Sequence, residues 1–129
     1  MEQKTILSPE SRLPAALLYL TGAQLLNANI DQLVTMIQAA ESRCSLIKGL
    51  KFVPHGKGFA SKIIVRAVEE MVRAKFVRWN PRRDILWINR SGPIRPIFLI
   101  EICKLKNFEA CQSSISDAAS FIGFILGPD

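Results

Sequence analysis

From Ile64 the apolar side chains fall at Ile64, Ala67, Val68, Met71 and Val72, the spacing of a helix with one buried face. The period then shortens. Phe76 to Trp79 and Ile85 to Ile88 are dense in β-branched and aromatic residues, and Asn80, Pro81, Arg82, Arg83 and Asp84 between them carry turn chemistry. A helix running into a two-stranded ribbon is expected over residues 60–89. Upstream, Leu17, Leu18, Leu20, Leu25 and Leu26 cover more than one helical face, which predicts a buried helix from Pro14 to Leu26. Pro14 suits its first turn, where a missing N–H costs nothing. Gly22 weakens such a helix by roughly 1 kcal/mol relative to alanine, so a close approach of another backbone is the expected reason for it.

Asn27 to Asn29 break that pattern, Ile30 suits a single strand-like pairing, and Asp31 is placed to cap a second helix. Leu33, Val34, Met36, Ile37 and Ala40 give that helix its apolar face. The stretch 43–59 is too long for a helix-turn-helix turn, which needs about three or four residues. Leu46, Ile47, Leu50, Phe52 and Val53 predict a short strand or turn packed on the core, and His55, Gly56, Lys57 and Gly58 an exposed tip. After the ribbon, Arg90 to Pro96 is a stiff break. Ile97 to Leu105 reads as a helix, 107–116 is polar, and Ala118, Phe121, Ile122 and Ile125 place a last helix over 117–126. The expected fold is mainly α with a small β-hairpin. A single winged helix-turn-helix-like domain occupies residues 1–92 with a loop inserted at 43–59, and a C-terminal helical extension, 93–129, packs on it or on a partner.

Composition changes this picture in two ways. With 129 residues, 49% of them apolar, the chain can bury a core without disulfides or metal, and apolar surface is left over for a partner. Phe121, Phe124 and Ile125 are the candidate partner-binding residues. Cys44, Cys103 and Cys111 are odd in number and lack CxxC spacing, so they read as reduced, mostly buried thiols of a cytoplasmic protein, without zinc. Leu13 to Leu26 has no basic leader and is too short to span a bilayer, and Ile115 to Leu126 is interrupted by Ser116, Asp117 and Ser120. No membrane segment is expected.

The net charge of +6 is concentrated: residues 41–95 hold thirteen cations against four carboxylates, a net +9. Such a patch suits nucleic acid or an acidic protein surface. Arg78, Arg82, Arg83 and Arg90 on and beside the ribbon, with Lys51 and Lys57 in the insertion, are the candidate contacts. The solvent side of the third helix carries Lys62, Arg66, Glu69, Glu70 and Arg73, with Arg66–Glu70 and Glu69–Arg73 at i, i+4, so it neutralises itself and offers no amide to a base. Trp79 and Trp87 stand at matching positions across the turn and read as a cross-strand brace. Gly56-Lys57-Gly58 lacks the leading glycine and the Ser/Thr of a phosphate loop. His55 is the only histidine and has no nucleophile motif beside it. No catalytic residue, cofactor or metal is expected.

SPES at 8–11, LLYLTGAQLL at 17–26, IDQLVTMIQ at 30–38 and VRAVEEMVRAKFVRWNPRRDILWI at 65–88 resemble the middle components of bacterial ABC-three-component systems, Lamassu-type defence modules. The resemblance covers roughly residues 7–30 and 62–90. It implies a small winged-helix-like subunit that is not an enzyme. Such an adaptor joins a structural-maintenance-of-chromosomes-like (SMC-like) ATPase to an effector, often a nuclease, in response to phage or plasmid DNA. Its partners would be that ATPase and effector, with sequence-independent contact to double-stranded DNA. The alternative is a winged-helix transcription regulator.

Overall fold

The structure, a computed structural model, describes residues 6–80 and 82–128. Residues 1–5 of the polar entry, Pro81 in the ribbon turn and Asp129 lie outside them. Helix α1 (Arg12–Leu20), led in by a 3-10 turn at Pro9–Ser11, is covered on all sides: Ala15, Ala16 and Leu17 are fully buried, and α3, α4 and α5, described below, pack on it. It ends at Leu20 and not at Leu26. The Thr21 hydroxyl turns back to donate to the Leu18 carbonyl (2.8 Å), and Gly22 takes φ +79°. Nothing lies within 4 Å of the position a Gly22 Cβ would occupy, so this glycine serves a left-handed turn rather than a close approach. The close approach is made instead by Gly123, where a Cβ would sit 2.7 Å from the Thr21 carbonyl.

After the turn, Leu25–Asn27 form strand β1, and helix α2 spans Ile30–Ala39. Asn29 caps α2, not Asp31: its carboxamide oxygen accepts the Gln32 N–H (2.8 Å), while the Gln32 side chain accepts the Asn29 N–H (2.9 Å). Asn29 has the extended backbone that a reciprocal cap requires, and Asp31 already lies within the first turn. The insertion packs on the core through part of its apolar set, with Leu46 and Val53 left exposed. A 3-10 helix at Ser45–Leu50 buries Ile47 and Leu50, and β2 (Val53–His55) pairs antiparallel with β3 (Gly58–Ala60) around Gly56. This hairpin lies on α2, where the Phe59 N–H donates to the Thr35 hydroxyl (3.1 Å) and Gly58 leaves that hydroxyl its space.

Helix α3 (Lys62–Arg73) is capped by Ser61, whose hydroxyl accepts the Ile64 N–H (3.3 Å) and donates to the Leu50 carbonyl (2.6 Å). The ribbon is β4 (Val77–Asn80) and β5 (Ile85–Ile88), and β1 adds to its far side in an antiparallel sheet of order β1-β5-β4. The register sets Trp79 opposite Leu86 and Arg78 opposite Trp87. Directly opposed residues share a face, so the two tryptophans point to opposite sides of the sheet and do not brace one another. Trp79 packs on the core, and Trp87 stands outside with Arg78 and Leu25.

Helix α4 (Ile94–Cys103) places Phe98 against Phe76, rings stacked at 4.5 Å, with Tyr19 edge-on at 5.1 Å. Helix α5 runs from Phe108 to Leu126, taking in the polar 108–116 stretch because Ile115 there is fully buried. Ala118, Ala119 and Ile122 join it in the same core as α1. The result is a small mixed α/β domain, largely helical, with one hydrophobic core. Leu7 is fully buried in front of α3 and α4, and the chain there is held by two carboxylates. Glu101, 1% exposed, accepts the N–H groups of Ile6 (3.2 Å) and Leu7 (2.9 Å), and Glu70 accepts the N–H of Ser8 (2.8 Å) and its hydroxyl.

Candidate functional site

A groove of about 1270 Å³ is walled by the ribbon, the end of α3, Tyr19 and the segment Ser91 to Pro96. Lys75, Arg78, Arg90 and Arg95 line it, and no carboxylate among the described residues does. A shallower recess bounded by Arg78, Trp79, Asn80, Arg82 and Trp87 continues it toward the ribbon turn.

Each cation is placed by its own local chemistry. Lys75 follows α3 in the left-handed conformation (φ 64°), and the Phe76 N–H closes the helix on the Met71 carbonyl (2.9 Å). Glycine usually occupies that position, and a lysine there strains the backbone by about 1 kcal/mol. Arg78 lies over the Trp87 ring at 5.7 Å on the outer sheet face. Arg95 donates from Nε to the Tyr19 hydroxyl (3.1 Å). Arg90 is half-buried, donating from Nη1 to the Gly22 carbonyl (2.7 Å) with its guanidinium 5.0 Å from the Tyr19 ring centre, while its Nε is buried without a partner. Arg90 is therefore half-buried and held, whereas Lys75, Arg78, Arg82 and Arg95 are exposed, Arg95 tied to Tyr19.

Of the residues singled out from sequence, Arg78 and Arg90 line the groove and Arg82 its extension. Arg83 is exposed on the turn, its N–H bonded to the Asn80 carbonyl (3.3 Å). Lys51 lies elsewhere, in a recess with Leu13, Ile63 and Lys106, and Lys57 stands at the tip of the β2–β3 hairpin. Phe121 is partly covered by Arg43, whose guanidinium sits 4.7 Å from the ring centre and bridges to Asp117 (3.4 Å). Phe124 is 86% exposed and Ile125 46%. Lys75 and Arg95 escaped sequence reasoning. Lys75 reads as one more residue of a helix end, and Arg95 reaches the groove only because the turn at Gly92 folds it back toward Tyr19.

The outer face of α3 differs from the self-neutralising stripe expected. Arg66 pairs with Glu70 (3.1 Å), but Glu70 is turned toward Ser8, and no Glu69–Arg73 bridge forms among the described residues. Val65 and Val72 are exposed beside them. Cys44 is buried, Cys111 is half-buried and Cys103 is exposed, all three as free thiols, so burial of the cysteines is less general than expected. His55 Nε2 lies 3.9 Å from the Asp31 carboxylate. Among the described residues no group of three His, Cys, Asp or Glu side chains could hold a metal, and no helix is long and apolar enough to cross a membrane. Comparison of the chain with protein-family models, curated proteins and solved structures finds no match.

Proposed function

We propose that the chain is a non-catalytic winged-helix adaptor subunit, joining an SMC-like ATPase to an effector in a bacterial ABC-three-component defence complex and touching DNA through its ribbon without reading sequence. The element order α1-β1-α2-α3-β4-β5, with β1 laid on β5, supports the winged-helix reading, and the sequence resemblance supports the defence role. The observation that carries adaptor over regulator is the last turn of α5. Upstream turns of that helix bury Ile115, Ala118, Ala119 and Ile122, yet its end holds Phe124 and Ile125 out in solvent. Large apolar side chains left bare together mark a surface for another protein.

The regulator alternative is disfavoured by α3, whose outer face mixes Lys62, Arg66 and Arg73 with Glu69, Val65 and Val72 and offers a base edge no asparagine or glutamine. Co-expression with the proteins encoded beside it tests the reading. The chain is expected to purify in a stable complex with them. A monomer that elutes apart from every neighbour overturns the adaptor role, and tight binding to one short duplex over random duplexes restores the regulator.

A further inference from the structure

We infer that the groove beside the ribbon binds a single strand of nucleic acid, with a base stacked at Trp87 and the phosphates held by Lys75, Arg78 and Arg82. This deepens the DNA-contact part of the proposed function and rests on it for the kind of partner. Docking through α5 stands or falls separately.

Three observations favour a strand. The first is charge: cations run from Arg82 through Arg78 and Lys75 to Arg95 with no carboxylate among the described residues lining either recess, so a polyanion is matched along its length. The second is the aromatic surface. Trp87 is 38% exposed on the outer sheet face, with the Arg78 guanidinium 5.7 Å from its ring centre, so an aromatic surface and a cation stand side by side. Bases stack on such rings whatever their identity, but only when they are out of a duplex. The third is size. At about 1270 Å³ the groove exceeds the roughly 300–1,000 Å³ that suits one small ligand.

A duplex is matched less well. Its bases are covered, so Trp87 would gain nothing, and α3 interrupts its exposed Lys62, Arg66 and Arg73 with Glu69, Val65 and Val72 and has no amide side chain to read a base. An acidic peptide would satisfy the cations but not the indole. Tyr19 takes no part in stacking, since it is buried against Phe98 and engaged by Arg90 and Arg95.

The experiment is a fluorescence-anisotropy titration of the full chain with labelled oligothymidine of about 10 nucleotides, a duplex of equal length and an oligoglutamate of similar charge. The single strand is expected to bind more tightly than either rival. Trp87→Ala should weaken it by about five- to a hundredfold, while Trp87→Phe keeps most of the affinity. Lys75→Glu, at an exposed site, should lower the slope of log affinity against log salt by about 0.7 for the phosphate it no longer neutralises. Circular dichroism confirms that each variant is folded, and the lysine variant decides the case if Trp87→Ala is not. Equal or tighter duplex binding, tighter oligoglutamate binding, no binding at all, or folded variants with unchanged affinity would each overturn the inference. Retained co-purification with the encoded neighbours in any of those outcomes leaves the adaptor reading standing.

Discussion

Glu101 is the residue whose environment is most demanding. It is a carboxylate at 1% exposure, and burial alone pushes it upward in pKa. The Lys104 ammonium, at 2.6 Å, and the Leu7 and Ile6 amides outweigh that, so it is held below the usual carboxylate range. Glu70 follows the same pattern: burial raises it, and the Ser8 amide and hydroxyl, Ser11 and Arg66 bring it below its ordinary value. Both groups therefore bind protons less readily folded than unfolded. Their contribution is complete above the unfolded pKa of about 4.3 and is lost as pH falls through the lower folded values. Urea midpoints should hold steady from neutrality to about pH 5 and drop below about pH 4, and Glu101→Gln should flatten that drop. Glu101→Ala, which strands Lys104 and two amides, should cost about 3 kcal/mol at pH 7 in the same assay.

At the scale of elements, two glycines do different work. Gly22 supplies a backbone conformation, and Gly123 supplies room. Alanine at Gly123 would drive α5 away from the Thr21 carbonyl, so the helix that closes the core must shift or overpack, at about 1–3 kcal/mol by thermal or urea unfolding. Lys75→Gly should act in the opposite direction, relieving the left-handed strain and raising stability by about 1 kcal/mol while removing a cation from the groove. A lysine kept at a position that favours glycine is stability set against charge. The Asn29 cap is worth about 1 kcal/mol by comparison with alanine, and it sets where α2 begins.

On the whole-molecule scale, the basic groove and the bare end of α5 are two surfaces of different chemistry, which is what an adaptor requires. Phe124→Asp should abolish co-purification with the encoded neighbours and leave the melting temperature unchanged, since the side chain is 86% exposed. Arg82→Glu with Arg83→Glu should weaken nucleic-acid binding and leave that co-purification intact. If the pair of substitutions changes neither binding nor activity of the complex, the ribbon turn has no part in function. Much of this molecule is written locally. The i, i+3, i+4 spacing of α2 and α3 and the turn residues of the ribbon are set by neighbours in the chain, so they can be read without the fold. The end of α1 cannot, because Leu25 and Leu26 continue its apolar period and become a strand only through β5, some sixty residues away. The tryptophans show the same limit: the pairing is one residue off the expected one, and in a strand one residue exchanges the faces. Sequence alone therefore determined that α2, α3 and the ribbon form and that positive charge is in excess, all of which follow from short-range periodicity and composition. Only tertiary structure decided that Lys75, Arg78, Arg90 and Arg95 share a groove, that Glu70 turns inward and that Arg43 covers Phe121 while Phe124 stays bare, because each depends on which distant segment lies against it.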